Sequence, residues 1–514
     1  MQPLPIGRQS FKDIRARGEL YVDKTRYLYE LVKNGGVYFL SRPRRFGKSL
    51  TLSTLKEIFE GNKEVFEGLW IYNANYDWKP YPIIRVDFSK QKAENKEELK
   101  RFISDQLDYI AQSYGFSLTK QEYFSRFEEL IKSLSKKGKI VILIDEYDKP
   151  IIDHLTKPEL AIEMREILKG FYTIIKASDE YLRFVFLTGV SKFSKTGVFS
   201  GLNNLSDISM ASKYSAIAGI TQEELINNFK EYILDFSNEL KISEAQLLEK
   251  IEHWYNGYCF SSKCQRVYNP FSTLLLFENK EFRNYWFETG TPSFLINLAK
   301  EKNFEITGLP IRVEEISFST YEIEQLDVVP LLFQTGYLTI KSYDSERLLY
   351  TLDYPNFEVK NAFLQYFILG YTNRTFQESK LYDLIDSLRE KDFENFFLIL
   401  QSIFANIDYD LHIPQEKYYQ TIFYLIFTLV GLRTFAEVKT NVGRIDVVIQ
   451  DRGSTFLFEF KFNGTKEEAL EQMKKNKYFQ KYFMPSDKTT SNPIYLFGVE
   501  FKNKNIGDWI VEEK

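Results

Sequence analysis

The segment that most constrains the fold of this 514-residue chain is an apolar run that leads into a short basic loop ending in Gly-Lys-Ser. The run is Val37–Leu40, and the loop is Ser41–Ser49. In phosphate-binding loops the glycine lets the backbone approach phosphate oxygens, the lysine reaches the outer phosphates and the serine ligates Mg²⁺ at a helix N-terminus. The sequence therefore predicts a nucleoside triphosphate, ATP, on Gly47, Lys48 and Ser49.

The start of this loop departs from the usual spacing. GxxxxGK[ST] requires glycine at position 42, where Arg42 stands. Arg44 and Arg45 follow, and their planar guanidinium groups suit phosphate oxygens. We therefore expect at least one of the three arginines to contact the nucleotide. The alternative, equally consistent with the sequence, is that they pair with acidic groups of a neighbouring domain or of a second subunit in a homo-oligomer.

An acidic pair at the end of a second apolar strand completes the predicted nucleotide site. Ile140–Ile144 runs directly into Asp145 and Glu146. Asp145 is expected to hold magnesium through water, and Glu146 to polarise the attacking water. A core strand ending in a solvated acidic turn is the competing interpretation. Thr188, at the end of a later strand, is expected either to sense the outer phosphate as a catalytic residue or to cap a turn.

Alternating strands and helices predict a parallel sheet with helices on both faces in the first part of the chain. The predicted strands are Val37–Leu40, Ile83–Phe88, Ile140–Ile144 and Arg183–Thr188. A helical lid follows, opening with a capping box from Thr221 to Glu224. The next region contains a helix, Leu326–Gly336, and a hairpin, which indicates a winged-helix-like module or a generic α+β connector. The predicted domains are 1–220 (nucleotide core), 221–304 (lid), 305–410 (connector) and 411–514 (C-terminal domain).

Composition limits the partners and the metal chemistry. No apolar stretch is long enough to cross a bilayer and the start lacks a secretory signal, so we expect no membrane partner and a cytoplasmic location. With 3 histidines and 2 cysteines, structural zinc is disfavoured and a metal would be held by carboxylates, which favours Mg²⁺ or Mn²⁺. A net charge of -4 means that DNA binding would depend on local basic patches.

The C-terminal region carries a second candidate site on neighbouring strands. In Thr455–Phe462 four phenylalanines alternate with Leu457, Glu459 and Lys461, so the latter share the opposite face of the strand. Asp446 on the preceding strand can meet them across a hairpin. Asp446 and Glu459 are expected to coordinate a divalent ion, with Lys461 orienting or activating the nucleophile. A cross-strand ion pair on a solvated sheet face is the alternative.

Three further residues flank this candidate site. Glu437, on the strand before Asp446, is expected to complete the metal shell. Gln472, on the predicted helix Glu467–Lys477, is expected to face the site, and Lys475 to meet nucleic-acid phosphates. A solvated helix face is the competing interpretation, which the glutamates of this helix favour.

These motifs together resemble a known family. The chain is similar to the bacterial AAA-ATPase-like proteins that carry a C-terminal PD-(D/E)XK nuclease-superfamily domain, and the resemblance spans nearly the whole chain. It implies an α/β fold: a P-loop NTPase (AAA-like) parallel sheet with a helical lid, a winged-helix-like middle region and a C-terminal α/β nuclease-like domain. The motifs that carry it are Tyr21–Thr25, Arg42–Ser49, Asp145–Asp148, Trp254–Tyr258, Tyr268–Pro270, Gly443–Asp446 and Glu459–Lys461.

Two positions bear on the resemblance. Arg42 in place of the first loop glycine is similar to a variant within the family, while Ile445 stands where the nuclease superfamily often has proline. The resemblance implies an ATP-hydrolysing protein coupled to a Mg²⁺- or Mn²⁺-dependent nuclease that acts on DNA. The rival hypothesis is a regulatory or signalling NTPase whose degenerate nuclease-like domain only binds nucleic acid or a protein. A mobile-element accessory protein is a third possibility that the sequence does not separate from the first.

Overall fold

The structure is a computed structural model in which the chain forms two compact units. The first unit comprises Met1–Leu295 and Pro310–Lys360, and the second comprises Ile296–Leu309 and Asn361–Lys514. None of the described helices has both the length and the apolar character that crossing a membrane requires. The described residues are 1–193, 198–199, 202, 204–286, 293–302, 304, 308–319, 322–371, 379–405, 416–429, 433–439, 443–462, 464–482, 493–502 and 505–514.

Strands and α-helices are numbered separately in chain order. The strands are β1 (Gly36–Ser41), β2 (Ile83–Asp87), β3 (Ile140–Asp145), β4 (Leu182–Gly189), β5 (Leu205–Asp207), β6 (Ile311–Glu314), β7 (Thr339–Asp344), β8 (Leu349–Asp353), β9 (Arg433–Lys439), β10 (Arg444–Asp451), β11 (Ser454–Phe462), β12 (Ile494–Lys502) and β13 (Asn505–Glu513). The helices are α1 (Phe11–Ala16), α2 (Thr25–Asn34), α3 (Lys48–Phe59), α4 (Lys96–Ser113), α5 (Tyr123–Ser135), α6 (Lys149–Ile152), α7 (Pro158–Ala177), α8 (Gln222–Asn228), α9 (Lys230–Leu240), α10 (Glu244–Tyr255), α11 (Pro270–Asn279), α12 (Ser293–Glu301), α13 (Ile316–Ser319), α14 (Val328–Thr335), α15 (Phe357–Tyr371), α16 (Ser379–Glu390), α17 (Phe393–Ala405), α18 (Glu416–Leu429) and α19 (Lys466–Lys475).

The main sheet of the first unit is parallel, with strand order β2-β3-β4-β1-β5. All six residues of β3 are buried, as expected for a central parallel strand covered on both faces. The predicted parallel sheet and its four strands are therefore confirmed, whereas the three-residue β5 was not predicted. Because β4 lies between β1 and β3, the end of β4 separates the phosphate loop from the acidic pair.

The helical region after the sheet has its own apolar core. Its helices α8 to α11 enclose Phe229, Ile251 and Tyr255, all fully buried. The predicted capping box of Thr221 and Glu224 is confirmed at the start of α8. Glu224 also forms an ion pair with Lys24, with 2.5 Å between Nζ and Oε2, which connects this helical region to the beginning of α2.

A smaller antiparallel sheet of order β6-β8-β7 follows within the first unit. Helix α14 precedes the β7–β8 hairpin, so the predicted helix and hairpin are confirmed, whereas β6 was not predicted. The buried Gln334 side chain accepts a hydrogen bond from the Lys192 amide at 2.7 Å and donates one to the Ser319 carbonyl at 2.8 Å. This helix is thereby fixed to the segment that follows β4.

The second unit contains a mixed sheet of order β13-β12-β11-β10-β9, in which only the β11–β12 pair is parallel. The ring centroid of Phe458 on β11 lies 4.9 Å from that of Phe423 of α18, with the two rings tilted by 57°. On the other face, Leu457 joins a core with Leu470 and Met473 of α19. The predicted alternation of side chains along β11 is confirmed. The face that carries Leu457, Glu459 and Lys461 is covered by α19, so it is not the solvated sheet face of the alternative interpretation.

Candidate nucleotide and nuclease sites

A cleft of about 440 Å³ lies at the carboxyl edge of the parallel sheet in the first unit. Gly47 is the N-cap residue of α3, with φ 87°, and because it has no side chain it leaves the first amides of that helix available to an anion. The site residues predicted from the loop and the acidic pair line this cleft, except Arg42 and Asp145. The cleft is lined by Arg44, Arg45, Gly47, Lys48, Ser49, Glu146, Asp148, Lys149, Val190, Pro270 and Phe271, among others.

Lys48 is buried at the base of this cleft. Its Nζ donates to the carbonyl oxygens of Arg42 and Pro43 at 2.8 and 2.9 Å, so the loop closes around the ammonium group. Burial lowers the pKa of Lys48, and the carboxylates of Glu146 and Asp145 oppose that shift. The lysine is thus held in a fixed position beside two acids and the helix N-terminus.

Arg42 turns away from the cleft. The side chain is 1% exposed and donates to the carbonyl oxygens of Ser209 at 2.7 Å and Tyr214 at 3.2 Å. Its guanidinium carbon also lies 4.2 Å from the centroid of the Phe260 ring. Burial lowers the pKa of Arg42 to about 9. Arg42 therefore supports the loop from behind, in the place of the usual glycine, by binding carbonyl oxygens.

Arg44 and Arg45 are exposed at the cleft instead. The carbonyl of Arg44 accepts a hydrogen bond from Trp286 Nε1 at 3.2 Å, and the guanidinium of Arg45 lies 4.7 Å from the ring centroid of Phe271. Phe271 follows the Tyr-Asn-Pro motif, which the sequence singled out without assigning it a role. These contacts leave both arginines exposed at the lining of the cleft.

The acidic end of β3 is held by the neighbouring strand. Asp145 Oδ1 accepts a 2.6 Å hydrogen bond from the hydroxyl of Thr188, and both side chains are buried. Thr188 therefore positions Asp145 rather than lining the cleft itself. Glu146 adopts a left-handed φ of 50° and is half-buried. Burial raises the pKa of Glu146, with the nearby Lys48 ammonium opposing the shift.

Asp148 belongs to this site, although the sequence assigned it no role. Its Oδ2 accepts from the backbone amides of Val190 at 2.9 Å and Ser191 at 2.5 Å. Burial raises the pKa of this carboxyl to about 7. A Cβ at Gly189 would lie 2.7 Å from Asp148 Oδ1, so the close approach requires glycine. The signal available in the sequence was a second aspartate three residues after Asp145.

A smaller apolar pocket of about 100 Å³ adjoins the cleft and shares Gly47 with it. The sequence analysis assigned no role to this pocket, although Tyr21, Val22 and Lys24 of the Tyr21–Thr25 motif line it. Phe46, immediately before Gly47, is 1% exposed, and its ring meets Tyr258 edge-on at a centroid distance of 4.8 Å. The lining includes Pro5, Leu20, Tyr21, Val22, Leu28, Phe46, Leu50, Ile217, Ala218, Ile220, Phe229, Pro270 and Leu274.

The second unit gathers the predicted nuclease residues. Lys461 Nζ donates to Gln472 Oε1 at 2.7 Å and lies 3.9 Å from Glu459 Oε1. Gln472 Nε2 donates to the same oxygen of Glu459. Asp446 Oδ2 accepts from the backbone amide of Phe460 at 2.8 Å, which places its carboxylate beside this trio. Glu459 is 2% exposed, so the cross-strand ion pair on a solvated face is replaced by a buried polar cluster.

The other two residues predicted for the nuclease site, Lys475 and Glu437, have no described contact with this cluster. Lys475 is exposed on α19, and Glu437 lies on β9 with its side chain outside the described residues. Among the described side chains, no three His, Cys, Asp or Glu groups form one metal-ligating cluster. The described carboxylates of Asp446 and Glu459 suit a hard cation such as Mg²⁺, which commonly takes one or two carboxylates and fills its other positions with water or phosphate oxygens.

Two family models match the parts of the chain that contain these residues. Residues 5–199 match a family model described as predicted AAA-ATPase, and residues 414–511 match one for the PD-(D/E)XK nuclease superfamily. A protein from the 5′ region of vnfD in Azotobacter chroococcum, described as uncharacterized, is 39% identical over 529 residues, covering 99% of this chain and 98% of the relative. The ORC2 protein of Aeropyrum pernix shares 14% identity at a TM-score of 0.25, covering 67% of this chain and 92% of that structure. The chain belongs to the AAA-ATPase-like family whose members carry a C-terminal PD-(D/E)XK nuclease-superfamily domain.

Proposed function

We propose that the first unit binds and hydrolyses ATP, and that the second unit is a divalent-metal-dependent nuclease whose action on DNA is controlled by nucleotide state. The observation that carries the proposal is the cleft in which Lys48, Ser49 and Glu146 meet beside an uncapped helix N-terminus. An anionic ligand is favoured there by both the helix dipole and the lysine charge.

In the nucleotide site each residue has a distinct role. The amides at the start of α3 and the Lys48 ammonium bind the phosphates, with Arg44 and Arg45 reaching them from the mouth of the cleft. Ser49 and Asp145 would hold Mg²⁺, which would neutralise phosphate charge. The adjoining apolar pocket is the proposed site of the base, because its aliphatic and aromatic lining suits a flat heterocycle.

Hydrolysis is assigned to Glu146. Its half-buried carboxylate faces the same cleft as Lys48, and its raised pKa makes it a better proton acceptor for an attacking water. Thr188 acts on Asp145 through the 2.6 Å hydrogen bond and is therefore a positioning residue. Glu146 therefore acts on the nucleotide directly, whereas Thr188 acts only by holding the Asp145 carboxylate in place.

In the nuclease site Asp446 and Glu459 would hold Mg²⁺ or Mn²⁺, which would polarise the scissile phosphate and lower the pKa of a bound water. Lys461 orients the nucleophile and stabilises negative charge on the phosphate. Gln472 bonds both Glu459 and Lys461 and so fixes their relative position. Lys475 is proposed to contact the nucleic-acid backbone further along the helix.

The test uses the purified full chain and measures nucleotide binding separately from DNA cleavage. ATP affinity is titrated with Mg²⁺ for the wild type and for Lys48→Ala, with Lys56→Ala as a matched control on the same helix. Loss of one charge-assisted contact predicts an affinity roughly 10-fold to 100-fold weaker for Lys48→Ala. Equal affinities of Lys48→Ala and the wild type would refute the nucleotide assignment.

Cleavage is measured on plasmid, linear and single-stranded DNA with Mg²⁺ or Mn²⁺, in the presence of ATP, ADP or no nucleotide. We expect a metal-dependent product that changes with nucleotide state and is absent in Asp446→Asn. Asp508→Asn changes an exposed acid on β13 in the same sheet; it is the matched control and should retain the activity. DNA binding without cleavage under every condition would instead support a degenerate binding domain.

A further inference from the structure

The chain has 2 cysteines, and both lie in the loop between α10 and α11. Cys259 is fully buried, and Cys264 is half-buried and therefore accessible to small reagents. Cys259 Sγ donates to the carbonyl oxygen of Ser261 at 3.2 Å, and the Cys264 amide donates to the same oxygen at 3.0 Å. The carbonyl oxygen of Ser261 is thus shared by the Cys259 thiol and the Cys264 amide. The turn therefore brings the two cysteines together around one backbone carbonyl.

Strand β7 fixes both cysteines in this arrangement. The Cys259 amide donates to Thr339 Oγ1 at 2.7 Å, and that hydroxyl donates back to the Cys259 carbonyl at 2.9 Å. Cys264 Sγ donates to the Ile340 carbonyl at 3.3 Å. Neighbouring residues of β7 thus hold the backbone of Cys259 and the thiol of Cys264, so the placement of the two cysteines does not depend on the loop alone.

The surroundings of Cys264 favour its thiolate. Its interaction with Cys259 and the positive charges of Arg266 and Lys341 lower the pKa of Cys264. The same interaction, together with burial, raises the pKa of Cys259. A partly exposed thiolate beside cationic groups is the usual arrangement of a reactive cysteine, with a nearby thiol able to resolve its oxidised form.

The loop that carries this pair also supports the phosphate loop. Tyr258 and Phe260, on either side of Cys259, place their rings edge-on to Phe46 at 4.8 and 5.4 Å. Phe260 also lies beneath the Arg42 guanidinium. A displacement of Cys259 would therefore be transmitted to both Phe46 and Arg42, which flank the residues of the proposed nucleotide site.

We propose that Cys259 and Cys264 form a reversible, peroxide-sensitive disulfide that weakens nucleotide binding in its oxidised state. The Cys264 thiolate attacks one oxygen of hydrogen peroxide, the O–O bond breaks, and the released hydroxide takes up a proton to leave water and a sulfenic acid. The Cys259 sulfur then attacks the Cys264 sulfur, the S–O bond breaks, and the hydroxyl group leaves with the Cys259 proton as a second water. Two thiols are oxidised and one peroxide is reduced.

The disulfide removes both S–H donors from their carbonyl partners at Ser261 and Ile340. Its consequence for nucleotide binding rests on the proposed function, whereas its formation does not. We expect the oxidised protein to bind ATP on the order of threefold or more weakly, because two supporting hydrogen bonds of the loop are lost. Reduction with dithiothreitol should restore the affinity of the reduced protein.

The first experiment treats the reduced full chain with hydrogen peroxide, blocks remaining thiols with N-ethylmaleimide under denaturing conditions and measures the intact mass. We expect a monomer that has lost two hydrogens and takes up no maleimide, and dithiothreitol should restore uptake of two. Cys259→Ser should stop at a sulfenic acid that dimedone traps, whereas Cys264→Ser should react far more slowly. Intermolecular dimers, irreversible oxidation of Cys264 alone or equal reactivity of the two variants would overturn the proposal.

The second experiment titrates ATP against reduced, oxidised and re-reduced protein, with Cys264→Ser treated in the same way as the control. Equal affinity of the reduced and oxidised forms would overturn the coupling while leaving the thiol pair in place. If the reduced protein binds no ATP, the proposed nucleotide function fails, but the mass measurement still decides whether the disulfide forms.

Discussion

Replacing the buried Asp148 by asparagine tests how the nucleotide cleft is built. Asparagine keeps an oxygen that can accept from the Val190 and Ser191 amides but carries no charge. Burial raises the pKa of Asp148 from 3.8 to about 7, so the folded chain binds this proton more tightly than the unfolded chain does. The contribution of Asp148 to the free energy of unfolding is therefore greatest below about pH 4, falls as the pH rises to about 7 and is constant above it.

The size of the effect follows from the shift. A shift of about three pKa units, at about 1.4 kcal/mol each, changes the contribution of Asp148 to the free energy of unfolding by about 4 kcal/mol in total. About 2.5 kcal/mol of this change occurs between about pH 5 and about pH 8. Asp148→Asn lacks this dependence. The difference in the free energy of unfolding, variant minus wild type, should therefore increase with pH across that range, because other titrating groups cancel in the difference.

Urea unfolding followed by tryptophan fluorescence provides the assay. Four of the 5 tryptophans lie in the first unit, namely Trp70, Trp78, Trp254 and Trp286. Asp105→Asn, which changes an exposed acid on α4, is the matched control. A difference for Asp148→Asn that stays constant from about pH 5 to about pH 8, or decreases, would refute the claim that this carboxyl resists ionisation.

Three further substitutions test the other roles. Glu146→Gln should retain ATP affinity but slow hydrolysis at least about 100-fold, because the amide keeps the shape without the basicity; unchanged turnover in a phosphate-release assay would make this residue structural. Thr188→Val removes the hydrogen bond to the Asp145 carboxylate and should lower the free energy of unfolding by about 1.5–3 kcal/mol and slow ATP turnover, as measured by urea unfolding and phosphate release. An unchanged unfolding midpoint would show that this bond is unimportant. Lys461→Ala should retain Mn²⁺ binding in a calorimetric titration and lose DNA cleavage, whereas loss of the metal would place the lysine among the residues that organise the metal site.

Regular strands and the residues that end them were predictable from local sequence. The apolar run of β3 followed by Asp145 could be recognised because a central parallel strand must be apolar on both faces and can bear charge only at its end. The alternation along β11 similarly placed Glu459 and Lys461 together, since successive strand residues point to opposite faces. The short strands β5 and β6 were missed because three or four residues carry too little pattern to distinguish a strand from a loop. Strands β12 and β13 were not predicted either, although each has nine residues.

The direction of a side chain within each site was decided by contacts between distant segments. From the sequence, Arg42 was grouped with Arg44 and Arg45 as a candidate phosphate contact. In the structure the Arg42 side chain instead donates to the buried carbonyls of Ser209 and Tyr214. Those partners are more than 160 residues away along the chain, so no local pattern could reveal them. The pairing of Thr188 with Asp145 likewise depends on β4 lying between β1 and β3.

The sequence by itself determined the parallel sheet, the order of the phosphate loop and the acidic pair, and the face shared by Glu459 and Lys461. These features follow from local periodicity and from residue chemistry at strand ends. Tertiary structure alone decided which polar side chains are buried: Asp148 against two backbone amides, Arg42 beneath the loop, and Glu459 under α19 beside Gln472. The physical reason is that burial and pKa depend on which distant segments exclude water from a group, and this information is not contained in the neighbouring residues.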